Sequence, residues 1–484
     1  YRISGDVDYV FPQGTVLPGG GFLVVARAPA DLEAVYGLSG ALGPWAGAVT
    51  NNLPNSGGTV RLRHRTGAVL LEVSYSDQPP WPVAADGAGH SLVLARPSYG
   101  ERNARAWDAS DTALGSPGRM DPVTFNPLAP LKINEFLAHT DDPELDYVEL
   151  YNHSNDTLDI SGCILTDDAS TNRFVVPAGT SIPPRGFVVF TQTTLGFALS
   201  AEGETLYLFS PGRARVLDAV RFEGQENGVS TGRWPDGAEA FYRLLAKTPG
   251  TNNAGIRRGN IVINEIHYHP ASHDDDDQFL ELYNRGGAPV ALGGWRLTDG
   301  ISYTFPTNAY LAPNSYLVVA RDAARLRTNY THLNTVNCFG NFSGRLSGRG
   351  ERVALTMPDT VLSTNASGQV ETNLIHVVVD EVTYGTGGAW GQWSDGGGSS
   401  LELRDARANG RLGANWADSD ETAKAPWTLI ETTGVVDLGN VAADQLQVLL
   451  QGAGECWIDD VQVLDASGSN LIANKHSPAP WSRT

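Results

Sequence analysis

A long ordered pattern of residues occurs more than once in this chain, and that repetition limits the possible fold more than any local feature. Ile133-Asn134-Glu135-Phe136 returns as Ile263-Asn264-Glu265-Ile266. After an acidic stretch, Tyr147-Val148-Glu149-Leu150-Tyr151-Asn152 returns as Phe279-Leu280-Glu281-Leu282-Tyr283-Asn284. Ser161-Gly162-Cys163-Ile164-Leu165-Thr166-Asp167 then matches Gly293-Gly294-Trp295-Arg296-Leu297-Thr298-Asp299. A turn and an apolar run follow in both, Ile182-Pro183 to Phe190 and Leu311-Ala312-Pro313 to Val319. The beginning of the chain joins the series at Leu17-Pro18-Gly19-Gly20-Gly21-Phe22-Leu23-Val24-Val25. Phe11-Pro12 falls on Phe305-Pro306, which sets Tyr1 opposite Trp295. The first repeat therefore has no counterpart of Ile261–Gly294, and the reading expects an open sheet edge there. The missing strands would be supplied in trans or lie in an upstream segment.

Each repeated piece is a run of four to eight residues with alternating apolar positions, bounded by Gly, Pro, Asn and Asp. The chain carries 54 Gly and 28 Pro but only 2 Met, a balance suited to turns and short strands rather than long helices. In Phe279–Asn284 the alternation puts Leu280, Leu282 and Asn284 on one face and Phe279, Glu281 and Tyr283 on the other. Units of this length and pattern fold most economically as β-sandwiches. Helix is expected only in short pieces, Ala28–Tyr36 and Asp322–Tyr330, each following an apolar strand.

The order Ile-Asn-Glu-Ile, acidic loop, Phe-Leu-Glu-Leu-Tyr-Asn, Gly-Gly-Trp-Arg-Leu-Thr-Asp-Gly, Phe-Pro and Leu-Ala-Pro-Asn-Ser-Tyr-Leu-Val-Val resembles the bacterial lamin-tail domain. The resemblance implies an all-β chain of tandem immunoglobulin-like β-sandwiches. It places them at 1–122 (truncated at its start), 130–254 and 259–427, as modules of a large secreted or surface protein. Cys163 stands where the third copy has Trp295 and the first has Tyr1, one core slot filled by different apolar bodies. Met357–Leu374 reads as a polar insertion, an extended loop or hairpin. Beyond Trp427, Gln445–Leu450 and Glu455–Val463 read as two strands about a glycine turn. Trp457-Ile458-Asp459-Asp460-Val461 is similar to strands of jelly-roll carbohydrate-binding modules, so 428–484 is expected to be a partial β segment of that kind.

The net charge of −20 repels phosphate backbones and disfavours nucleic acid as a partner. No run approaches the roughly 18 apolar residues of a membrane span. Cys163, Cys338 and Cys456 are scattered, which gives neither a disulfide framework nor a thiolate metal site and leaves buried small hydrophobes.

Two clusters invite a chemical reading. His267, His269 and His273 precede Asp274-Asp275-Asp276-Asp277, so a transition ion is conceivable, against the alternative of a structural turn histidine. The acidic loop recurs as Asp141, Asp142 and Asp146 in the second repeat, and hard carboxylates on one loop suit Ca²⁺, although the Gly and terminal Glu of an EF-hand are missing. The candidate metal residues are thus Asp141, Asp142, Asp146 and Asp274 to Asp277, with no cofactor required. The repeated glutamates Glu135, Glu149, Glu265 and Glu281 could be taken for a glycosidase carboxylate pair, but Asn-Glu at a strand end is more simply a hydrogen-bonding turn element. No nucleophile elbow, Walker loop, HExxH or dinucleotide fingerprint occurs. The reading is of a non-enzymatic structural or adhesive portion of an extracellular or cell-surface protein, whose partners are other protein segments or copies of itself. The alternative is an accessory glycan- or substrate-binding part of a secreted enzyme. Trp81, Trp390, Trp393 and Trp427 would serve it if they lay exposed on loops.

Overall fold

In the computed structural model, residues 1–46, 52–364, 367, 369–419, 429–435 and 461–471 are described. By compactness the chain divides into two units, 1–258 with 359–377, and 259–358 with 378–484. The described residues are built from many short, mainly antiparallel strands with three short α-helices, an immunoglobulin-like all-β architecture. Helices at Pro29–Tyr36 and Ala323–Asn329 stand where short helical pieces were expected.

The second repeat packs two sheets face to face. One runs, in spatial order, Phe187–Thr191, Tyr147–Asn152, Leu131–Leu137, Thr231–Arg233 and Phe241–Arg243. The other runs Phe174–Val175, Ile164–Thr166, Gly203–Phe209 and Val216–Glu223. Because strand side chains alternate, Ile133, Phe136, Val148 and Leu150 from the first sheet meet Leu165, Leu206, Leu208 and Phe222 from the second in one apolar core. Phe136 lies 4.5 Å from Phe222, ring centre to ring centre.

The third repeat repeats this plan. Its larger sheet runs Cys338–Gly340, Ser315–Ala320, Phe279–Asn284, Ile261–His267, Leu401–Leu403 and Trp416–Asp418. The facing sheet holds Arg296–Asp299, Ile301–Thr304 and the long strands Glu351–Thr364 and Val370–Tyr384. The polar insertion is thus a prolongation of two paired strands into a hairpin. Its distal part belongs to the first unit, where Asp359 accepts from the Asn227 amide at 3.1 Å.

Among its described residues the first repeat forms one full sheet, Tyr9–Val10, Arg2–Gly5, Gly57–Arg63 and Val69–Ser76, together with the pair Leu92–Leu94 and Trp107–Ala109. Phe22-Leu23-Val24-Val25 has the sequence of a strand yet, among the described residues, makes one isolated bridge, Val25 to Leu42. Its counterparts in the other repeats are strands because a neighbour pairs with them. The shared slot of Cys163, Trp295 and Tyr1 is also not uniform: Cys163 is fully buried, Trp295 partly, and Tyr1 is 59% exposed.

Within the first unit, the first repeat docks on the second through His90. Its Nδ1 lies 2.7 Å from the Ser110 carbonyl, and its Nε2 accepts the Val216 amide at 3.0 Å. Arg221 spans Asp77 and Asp86 beside it, at 2.9 and 3.1 Å. His90→Ala strands a buried N–H, which costs about 1–3 kcal/mol. The expected result is faster hydrogen exchange at Val216, with exchange in the Tyr147–Asn152 strand unchanged.

Of the C-terminal β segment, 429–435 and 461–471 are described. The latter holds a turn closed by a bridge between Leu464 and Asn470. Cys456, the strand expected at 445–450 and residues 455–460 of the strand expected at Glu455–Val463 lie outside the described residues, and 461–463 are not in a strand.

Candidate functional site

In both complete repeats the backbone register jumps at the Asn of the Asn-Glu motif. The pairing shifts between Ile133 and Glu135 against Tyr147–Asn152, and between Ile263 and Glu265 against Phe279–Asn284. Such a bulge inserts one extra residue and redirects its side chain. Asn134 turns across to donate Nδ2 to Glu149 at 2.9 Å, and Asn264 does the same to Glu281 at 2.9 Å. The bulge also frees the N–H of the preceding isoleucine. Asp218 accepts it from Ile133 at 2.8 Å, and Asp380 accepts it from Ile263 at 2.8 Å.

Beyond the bulge, the glutamates face one another across the strands, Glu135 opposite Glu149 and Glu265 opposite Glu281. They lie within the sheet, not in a turn at a strand end. Like charges directly opposite are destabilising, and burial adds to the cost. Burial pushes Glu149 up to about 7, against the hydrogen bonds from Asn134 and the Gly250 amide. Glu281 rises to about 7 through burial and then its neighbour Glu265, and Glu265 itself reaches about 7 through burial. Asp380 is pushed to about 6, again by burial.

The carboxylates are used. Glu135 accepts the Tyr147 hydroxyl at 2.6 Å and the Thr248 amide and hydroxyl at 3.0 and 2.9 Å. Glu149 accepts the Gly250 amide at 2.6 Å. The Thr248-Pro249-Gly250 turn is therefore fastened over the outer face of the sheet by the glutamate pair. In the third repeat Glu265 accepts the Ser400 hydroxyl. Asp218 also holds Arg233 through two bonds of 2.9 and 2.8 Å, and Arg233 crosses to the Ile133 carbonyl at 2.7 Å. Asp218 and Asp380 escaped the sequence reading as site residues. Their signal was present: they occupy the same place in the repeat, as does Glu72 in the first.

The acidic loops are organised differently from a cation cage. Asp274 and Asp277 both engage Arg325, at 2.7 Å each, while Asp276 meets Arg321 at 3.1 Å and Asp275 lies 3.7 Å from Arg345. Burial raises Asp277, but Arg325 and the Ser272 hydroxyl outweigh it and hold the group below its ordinary range. In the second repeat Asp146 is buried and accepts Thr140 at 3.0 Å and the Leu199 amide at 2.9 Å, with burial raising its pKa. Asp141 accepts from Asn227 at 2.6 Å, and Asp142 is exposed. Among the described residues no three His, Cys, Asp or Glu side chains converge as a metal-holding group. In the third repeat arginines supply counter-charge to Asp274 to Asp277. Melting should accordingly be unmoved by millimolar calcium, whereas Arg325→Met should lower the melting temperature of the third repeat.

His267 is set apart because the strand ends there, while the His269 and His273 rings lie 5.8 Å from each other. His267 stacks on Phe279 at 5.2 Å, and its burial lowers its pKa. His269 pairs with Asp395 at 2.7 Å. Nor do the tryptophans form an exposed platform. Trp81 is buried near Trp107, Trp390 packs on the core beside Trp416, and Trp393 is half-buried. Trp427 lies outside the described residues. Exposed aromatics lie elsewhere, among them Trp234 at 41% and Tyr316, which is 52% exposed and stacked on Tyr283 at 4.6 Å. Cys163 and Cys338 are buried free thiols, and burial lifts Cys163 to about 11.

The family model of the lamin tail domain matches residues 126–224 and 256–412, just over half of the chain. The chain belongs to the lamin tail domain family. The two matched stretches are the two repeats that carry the complete strand set and the bulged Asn-Glu device, so lamin-tail units stand here in tandem. No curated protein matches the chain. A solved structure that it resembles is the crystal structure of a DUF4876 family protein from Bacteroides thetaiotaomicron VPI-5482. That likeness has 11% identity over 58% of this chain and 80% of that one, with a TM-score of 0.23. At that TM-score the overlap adds nothing to the lamin-tail fold already read from the sheets. No helix among the described residues is long and apolar enough to cross a membrane.

Proposed function

We propose that the chain is a non-enzymatic structural or adhesive run of three lamin-tail sandwiches, 1–122, 130–254 and 259–427, followed by the β segment 428–484. In this reading it forms part of a secreted or cell-surface bacterial protein and meets other protein segments or copies of itself. The observation that supports it is the use of the repeated carboxylates. Glu135 and Glu149 are occupied by hydrogen bonds that fasten the Thr248–Gly250 turn, and Asp218 and Asp380 are occupied by bulge amides. A carboxylate engaged by internal donors ties one part of the fold to another, which supports a structural use.

A second reading, an accessory glycan-binding role, rests on the Tyr283–Tyr316 stack, since a flat, half-exposed aromatic surface suits a sugar face. Assay of the purified chain against glycan, ester and phosphodiester substrates tests the first reading, and a glycan array separates it from the second. The expected result is no turnover by the chain or by Glu281→Gln. Hydrolysis by the chain that Glu281→Gln abolishes would overturn the non-enzymatic reading. Array binding lost in Tyr316→Ala would favour the second.

A further inference from the structure

We infer that the second repeat takes up one strand from a partner polypeptide: an extended segment with an apolar residue followed by glycine pairs in parallel with the edge Phe187–Thr191. This strand stands last in its sheet, beside Tyr147–Asn152. Just beyond its two ends the backbone bonds to that neighbour's side. The Gly186 carbonyl accepts the Asn152 amide at 3.0 Å, and the Gln192 amide donates to Asp146 at 2.8 Å. Bonding in an antiparallel pair alternates, so Val188 and Phe190 also face the neighbour. The N–H and C=O of Phe187 and Val189 and the N–H of Thr191 face away, and among the described residues no backbone bond reaches them.

The other two repeats carry a strand or bridge in this place. In the third, Cys338–Gly340 runs parallel to Ser315–Ala320, with Phe339 opposite Val319. Val318 and Val189 occupy matched positions, opposite Glu281 and Glu149, and Val318 donates outward to the Asn337 carbonyl at 2.8 Å. In the first, Leu42 donates to the Val24 carbonyl and accepts the Ala26 amide, both at 2.8 Å. Glycine follows in both, as Gly43 and Gly340, because a Cβ there would run into the carbonyl oxygen of Ala26 or Ala320. That same carbonyl accepts the amide of an aromatic residue, Trp45 at 3.2 Å and Phe342 at 3.1 Å.

The second repeat reaches its own aromatic by a shorter route. The helix Gln192–Leu195 leads through Gly196 directly to Phe197, buried in the core with Phe190 and Leu199, and the next strand begins at Gly203. No residues remain to lay down the extra strand. Burial records the difference at matched positions. Ala26 and Ala320 are buried beneath the added residues whereas Thr191 is exposed, and Val318 is buried whereas Val189 is half-buried.

Natural sheets blunt a free edge with charge, proline or a bulge, and Phe187-Val188-Val189-Phe190-Thr191 has none of these. Adding a strand to such an edge is an established mode of peptide recognition, with main-chain bonds giving affinity and alternate side chains giving specificity. The occupant's apolar residue lies opposite Phe190, as Phe339 lies opposite Val319 and packs on the third core. Its glycine clears the Thr191 carbonyl. A groove of about 370 Å³ lined by Leu145, Gln192 and Phe197 adjoins the end of the edge, next to an acidic loop with Asp142 and Glu144 exposed. A basic residue beyond the glycine suits that loop, as Arg345 lies 3.7 Å from Asp275 in the third repeat.

The inference rests on the reading of a chain that meets other protein segments, and the two fail separately. Hydrolytic activity would overturn the non-enzymatic reading without closing this edge, and an edge that takes no strand leaves that reading standing. The test titrates the full chain with a peptide of residues 335–345 in which Cys338 is replaced by alanine, following amide exchange residue by residue by NMR. At millimolar peptide, exchange at Val189 and Thr191 should slow at least tenfold and saturably, while Val188 and Phe190 change little. Gly340→Val in the peptide should abolish the protection at Thr191, and Val189→Pro in the chain should abolish peptide binding. The N–H lost in Val189→Pro is the outward one, so the repeat stays folded, as unchanged exchange at Leu206 and Leu208 would show. Unchanged exchange at Val189 and Thr191 would overturn the proposal, as would protection that survives Gly340→Val. Protection of Val189 that grows with chain concentration without peptide would also overturn it, in favour of pairing between two copies.

Discussion

Leu311→Ala should destabilise the third repeat by about 2–5 kcal/mol, the cost of removing a fully packed leucine and leaving part of its cavity. Leu17→Ala, the same change at the matching place in the first repeat, should move stability by no more than about 0.5 kcal/mol, as expected for an exposed site. Leu311 pairs with Val290 under an intact sheet, and Asn284 takes its carbonyl. Leu17 follows the same residue pattern but is 59% exposed. Melting of a chain with several units is not two-state, so hydrogen exchange within each repeat is the proper measurement. Similar losses at the two sites would show that the first repeat has a closed core.

A second large effect is expected from pH. Glu149, Glu265 and Glu281 are raised to about 7 in the folded chain from an ordinary 4.5. Between those values the folded chain keeps protons that the unfolded chain has lost, so stability falls as pH rises. The contribution is fully present below about 4.5 and lost by pH 7, with a ceiling of about 3 kcal/mol for each group before coupling within the pairs reduces it. His267, whose pKa is lowered, opposes the trend as pH falls through its ordinary value near 6.5. Asp277 and Glu381, held low, weaken the fold only when pH drops through the acid range. The transition should therefore lie several degrees higher near pH 5 than at pH 8. A flat or rising profile over that interval would contradict the assignment of buried, protonated glutamates.

Much of the fold was legible because apolar alternation and repetition report the same thing, which faces are buried. Leu280, Leu282 and Asn284 do share the inner face, all fully buried. The failure of Phe22–Val25 to form a strand was not legible in those residues themselves. A strand needs a neighbour, and the same sequence becomes a strand or a bridge according to what pairs with it. The acidic run shows the limit for sites: nothing in Asp274 to Asp277 itself announces that Arg321, Arg325 and Arg345, far along the chain, are brought against it. The glutamates were visible, but their role was not. A one-residue bulge at Asn134 and Asn264 decides where they point, and no spacing rule announces a bulge.

The most direct test of the account is the pH dependence of melting in a chain carrying both Glu149→Gln and Glu281→Gln. Glutamine keeps the shape and one acceptor oxygen while removing the titration, so the account predicts a folded variant whose transition changes less between pH 5 and pH 8 than that of the parent, the remainder coming from Glu265 and Glu204, which burial also raises to about 7. A variant with the parent's full pH dependence would contradict the claim that these paired glutamates are internal fasteners of the lamin-tail sheets.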